Sequence, residues 1–89
     1  MIQHSVRWDA ENTHHILVER AERSITKSEV EEVLLSSNTV KWFARGGRFF
    51  ATGRTMTGRC LRVVFTGIHE PRPVSAWQLR RKECARWSM

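Results

Sequence analysis

At Thr39 the apolar residues of this chain change their period, and that change does most to limit what the chain can fold into. Before it they recur at the three-and-four spacing of a helix face. After it they alternate, or run in short blocks bounded by glycine and proline, as strands do. At 89 residues the chain is too short to divide into two cores. Helices gathered in front of a strand meander predict one α+β domain, with an antiparallel sheet and helices packed on one face.

The second helix has the clearest local signature. Thr26 and Glu29 stand at T-x-x-E capping-box spacing, with Ile25 and Val30 at the two staple positions around them. Val30, Val33 and Leu34 continue one apolar face while Glu29, Glu31 and Glu32 are expected in solvent, and Ser36-Ser37-Asn38 ends the helix. Upstream, Asp9 caps a first helix from Ala10 to about Arg23, with Ile16, Leu17 and Ala21 as a narrow stripe. Val6-Arg7-Trp8 reads as a short N-terminal edge strand.

Behind Thr39 the expected order is Val40–Ala44, a Gly46-Gly47 hairpin, Arg48–Thr52, a Thr55–Gly58 turn and Arg59–Thr66. In that last strand Leu61, Val63 and Phe65 share one face, with Cys60, Arg62 and Val64 on the other. Pro71 and Pro73 confine the next stretch to a loop and a strand start. Val74–Ala76 then reads as the fourth strand and Gln78–Trp87 as a C-terminal helix anchored by Trp87.

Charge is divided at the same place. Residues 1–38 carry a net −3 and the remainder +9, which make up the overall +6, and nine of the eleven basic residues after Asn38 are Arg. Segregated Arg-rich charge points to a nucleic-acid-facing C-terminal half, against the plainer reading of a solvated basic surface. No apolar run approaches the length needed to span a bilayer. The N-terminal stretch lacks the apolar core of a secretory signal, so the cytoplasm is the expected compartment. Cys60 and Cys84 are too few for a zinc motif or a disulfide framework and read as small buried hydrophobes, with a disulfide between them as the lesser alternative. His4 and His69 read as bland, and no histidine has metal-ligand spacing.

Several stretches, taken in order, resemble BrnT-type toxins, small bacterial ribonucleases of toxin–antitoxin pairs with a RelE-like fold. They are Trp8-Asp9-x-x-Asn12-x-x-His15-Ile16, Thr26-x-x-Glu29-Val30-Glu31-Glu32-Val33-Leu34, Gly53-Arg54-Thr55-x-x-Gly58-Arg59-x-Leu61-x-Val63-Val64-Phe65, and Ser75-Ala76 with Glu83 and Trp87. The likeness covers nearly the whole chain. It implies a RelE-like, metal-independent and cofactor-free RNA-cleaving toxin, held inactive by a cognate ribbon-helix-helix antitoxin, through which alone it would meet DNA. Two positions depart from the pattern: Arg23 stands where the family usually has His, and Trp77 where it has Arg. The alternative is a catalytically lapsed member that only binds RNA or an acidic protein partner.

Metal-free RNA cleavage needs a base for the 2′-hydroxyl, positive charge on the phosphorane and an acid for the leaving oxygen. Arg54 and Arg59 flank one turn and are the candidates to converge on the phosphate; ordinary hairpin-end charge is the plainer account. His15 is the candidate base within the Asn12-x-x-His15 motif, against an exposed helical histidine. Since neighbouring helical residues point about 100° apart, only one of His14 and His15 is expected at any one site. Glu83 matches a glutamate of the family's last helix and reads either as a catalytic group or as a structural ion pair. Arg48, Arg62, Arg80 and Arg81 extend the RNA-binding surface. Of the aromatics interleaved with Arg and Lys, which must otherwise build the core, Trp77 is the best stacking platform.

Overall fold

The computed structural model describes residues 5–36, 39–67 and 69–87. Asp9 accepts from the Asn12 amide while the Asn12 side chain accepts from the Asp9 amide, so a reciprocal box opens α1 (Ala10–Thr13). The helix does not continue regularly to Arg23. It passes into a π-helical stretch, His14–Glu19, and a 3-10 turn, Ala21–Arg23, closed by Ser24 in the left-handed region at φ 54°. Ile16 is buried and Leu17 partly so, whereas Ala21 is exposed.

α2 (Lys27–Leu35) starts at the expected box, with Thr26 Oγ1 accepting from the Glu29 amide at 3.1 Å. Ile25 and Val30, its staple pair, are both buried. Ser36 caps α2 at its C-terminus, while the continuation to Ser37 and Asn38 lies outside the described residues, as does His4.

The strand meander comes next: β1 (Val40–Phe43), β2 (Arg48–Arg54), β3 (Cys60–Thr66) and β4 (Arg72–Gln78) form one antiparallel sheet in the order β1-β2-β3-β4. The β1–β2 connection needs positive φ at two successive positions, and Gly46 (69°) and Gly47 (74°) supply it. β4 extends beyond the expected Val74–Ala76 at both ends. It includes Pro73 because it is an edge strand, where a missing N–H breaks no ladder. Strand pairing takes Trp77 from the expected junction and Gln78 from the expected helix, so α3 (Arg81–Trp87) begins later. The side chain of Trp87 lies outside the described residues.

Val6–Trp8 forms no strand. The Arg7 amide makes a backbone bond to Pro71 O, and the Trp8 indole donates to Glu31 at 2.8 Å. With Pro at 71 and 73 the adjoining chain has no amide at those positions to extend a ladder.

Residues paired across antiparallel strands share a face. Ala51, Leu61, Val63, Phe65 and Ala76 meet Ile16, Ile25, Val30, Val33 and Leu34 in the main core, so the helices of the N-terminal half cover this inner face. The registers place two rows on the outer face: Trp42–Phe50–Val64–Ser75 and Thr52–Arg62–Trp77. α3 docks at its Cys60 end, where Cys60, Leu79 and Cys84 form a second, smaller cluster packed against Trp77. Among the described residues, no helix is long and apolar enough to cross a membrane.

Candidate nucleic-acid interface

The outer face is basic and aromatic because of alternation alone. Every second residue of β2 and β3 from Arg48 and Cys60 projects there, and those positions hold Arg48, Phe50, Thr52 and Arg54, then Cys60, Arg62, Val64 and Thr66. Trp42 meets Phe50 edge-on at 5.3 Å between ring centroids. The Arg62 guanidinium lies over both rings, 5.2 Å from the Trp42 centroid and 5.9 Å from that of Phe50, and its Nε donates to Thr52 Oγ1 at 3.4 Å. Trp77, partly buried, stands opposite Arg62 on β4. Layered guanidinium and aromatic rings offer π-faces and positive charge together.

At the Cys60 end this face leads into a cavity of about 440 Å³ lined by Arg54, Gly58, Cys60, Gln78, Leu79, Arg81 and Cys84. Arg54 Nη2 lies 3.2 Å from Cys84 Sγ. Cys60 and Cys84 are buried, as expected, but the structure joins them in a disulfide across a Cα–Cα distance of 5.9 Å. Their 24-residue separation along the chain concealed this proximity, which β3–β4 pairing and the turn into α3 create.

The candidate catalytic residues Arg54, Arg59 and His15 are not brought together. Arg54 lies at the cavity, whereas the Arg59 guanidinium turns toward the helices. Its Nη1 donates to both Glu29 carboxylate oxygens at 2.9 and 3.0 Å and to Ser24 O at 2.7 Å. Its Nη2 donates to Arg23 O and its Nε to Gln78 Oε1. Arg59 therefore clamps the α1–α2 connection to the sheet. His15 lies beside a separate cleft of about 260 Å³ with Glu11, Asn12, Glu19, Arg72 and Val74. The π-helical stretch turns His14 and His15 toward one carboxylate: each Nδ1 is 3.2 Å from an oxygen of Glu19, contrary to the expectation that only one could serve a site. Hydrogen bonds to His15, then to His14, hold the Glu19 carboxyl below its usual range. Glu83 is exposed and accepts from the Arg80 amide at 3.3 Å, a cap on α3.

Of the expected RNA-binding set, Arg62 and Trp77 share the outer face in one row. Arg48 is exposed at the far end of β2, and Arg80 and Arg81 are exposed where α3 begins. Arg23, at the position where the resemblance expects His, donates to Ala76 O at 2.8 Å and supports the outer edge of β4. The acidic residues of α2 are not merely solvated. Glu29 takes Arg59, Glu31 takes the Trp8 indole, and Glu32 accepts from the Met56 amide. Sequence reasoning missed Trp42 and Phe50 as a pair; the Gly46-Gly47 turn that sets their register was the available signal.

Searches against protein-family models, curated proteins and solved structures each return no match.

Proposed function

We propose that this chain is the RNA-directed, toxin-type member of a cytoplasmic toxin–antitoxin pair with a RelE-like fold, and that its outer sheet face binds a single RNA strand. The observation that carries this reading is the Arg62 guanidinium lying over Trp42 and Phe50, with Trp77 across the strand. Unpaired bases stack on such rings, and guanidinium groups along the same face meet the phosphates. Binding is favoured over cleavage because His15 and Arg59 are held by other partners away from Arg54, and Glu83 is taken up in capping α3. A ribbon-helix-helix antitoxin is the partner that the sequence resemblance implies.

Ribonuclease activity is the second reading, and the cavity between Arg54 and Arg81 favours it. Two guanidinium groups there would stabilise a phosphorane without metal. Anisotropy of a labelled single-stranded RNA tests the first reading. The native chain should bind, with affinity falling steeply as salt rises. Arg62→Ala with Trp42→Ala should weaken binding by roughly tenfold or more. Equal affinity in native and doubly substituted protein would rule out the outer face. Incubation of RNA in chelator tests the second: cleavage lost in Arg54→Ala would establish it, and intact RNA would exclude it. Growth arrest on induced expression would tie either activity to toxicity.

A further inference from the structure

We infer that the Cys60–Cys84 disulfide is the positioning element of a phosphate pocket between Arg54 and Arg81, so that the redox state of the pair sets how tightly the protein holds RNA phosphate. The choice of ligand rests on the RNA-binding function just proposed; the positioning stands on geometry of its own.

The two arginines come from different elements, Arg54 from the end of β2 and Arg81 from the first turn of α3. They line one cavity only while α3 is fixed against the sheet. α3 has seven residues, too few to be stable by itself. Its footing is the small cluster of Cys60, Leu79 and Cys84 against Trp77, separate from the main core. The bridge ties the first residue of β3 to the middle of α3, and both cysteines are buried, at 5% and 4% exposure. It also seats Arg54, whose Nη2 reaches Cys84 Sγ.

The cavity wall suits a phosphodiester. Gln78 uses its Oε1 for Arg59, which leaves its amide N–H groups to donate alongside two guanidinium forks. Closing the bridge removes two electrons and two protons from the thiols. A disulfide oxidant of the glutathione class takes them up, its own S–S bond breaking to release two thiols; a dithiol reductant reverses the step. In a reducing compartment the pair is open, and oxidation tightens the pocket.

The test compares reduced protein with protein oxidised by oxidised glutathione, the state being read by mass after alkylation and the fold by near-ultraviolet circular dichroism. Pyrophosphate is titrated by calorimetry and a single-stranded RNA by anisotropy. The oxidised chain should take up no alkyl groups and bind pyrophosphate about tenfold more tightly than the reduced chain. Arg81→Ala should abolish that difference, and Cys60→Ser with Cys84→Ser should hold the reduced affinity under both conditions. Two alkylations after oxidation, or equal pyrophosphate affinity in the two folded states, would overturn the inference. A redox-dependent pyrophosphate affinity without RNA binding would support the pocket while refuting RNA as its ligand.

Discussion

Arg59 and Arg62 lie three residues apart, yet they belong to opposite faces of the sheet and to different kinds of chemistry. On the inner side Arg59 donates to a carboxylate, two carbonyls and an amide oxygen, and so closes the α1–α2 connection onto β3. On the outer side Arg62 lies flat on Trp42 and Phe50. The inner face is finished by its own polar groups: Asn12 donates to Arg7 O and Pro73 O, and Arg23 donates to Ala76 O. The outer face, beyond the footing of α3, presents rings and guanidinium groups, with Arg62 layered on Trp42 and Phe50 and bonded to Thr52. A count of arginines does not separate these roles; the strand register does.

The largest effect that would break this comparison is at Arg59. Arg59→Ala leaves Glu29, of which only 14% is exposed, without its cation and two backbone carbonyls without a donor. Full burial of such a pair makes truncation cost about 3–5 kcal/mol, and partial exposure lowers the expectation to about 2–3 kcal/mol. Chemical denaturation should show that loss, while the folded fraction keeps its RNA affinity. The reverse result, unchanged stability with lost binding, would move Arg59 into the ligand site.

The outer face should behave in the opposite way. Trp42→Ala should cost about 1–3 kcal/mol of RNA binding if a base stacks there. Arg62→Ala should cost about 1 kcal/mol or somewhat more, through lost charge and lost layering. Trp42 belongs to neither buried cluster, so thermal denaturation of both variants should stay close to native. Trp77→Ala sharpens the comparison further, since Trp77 both stands opposite Arg62 on the outer face and packs against Cys60, Leu79 and Cys84. It alone should lower stability and affinity together.

How much of the molecule was legible in the sequence depends on the range of the forces involved. Local devices, namely the Asp9 cap, the Thr26–Glu29 box and the two-glycine turn, act over a few residues and stand where the spacing predicts them. The alternation of β3 predicted both faces correctly, because period 2 leaves no choice. The expectations that failed depend on distant partners. The Val6–Trp8 strand needed a neighbour with free amides and met Pro71 and Pro73. The acids of α2 looked solvated because Arg59, Trp8 and Met56 approach them from 23 to 30 residues away. The π-helical stretch, which brings two imidazoles to Glu19, is encoded by no periodicity. In the site, Arg62 was legible as a basic strand position and Trp77 as an aromatic beside the last strand, but their pairing across β3 and β4 was not. The bridge that brings Arg54 and Arg81 to one cavity was not.

The smallest expected effect tests whether the two faces are independent. The Arg72 guanidinium bonds Asp9 at 2.7 Å and, aided by the Asn12 amide, holds its carboxyl below the ordinary value of 3.8. A carboxyl lowered on folding adds stability that is fully present above its unfolded value and disappears as pH falls through the lowered one. The contribution of this pair should therefore be constant at neutral pH and fade only below about 3.8. Asp9→Asn preserves the cap, since Asn accepts from the same amide, and removes only the ion pair. Denaturation midpoints of the two proteins should differ by a small constant amount at neutral pH and converge in acid. Because both partners are partly exposed, that difference is the least of those expected here. RNA affinity at neutral pH should not respond to Asp9→Asn. A response would mean that the α1–β4 junction transmits to the outer face, most directly through the β-bulge at Val64/Phe65, where the pairing with β4 shifts register between Arg72 and Trp77.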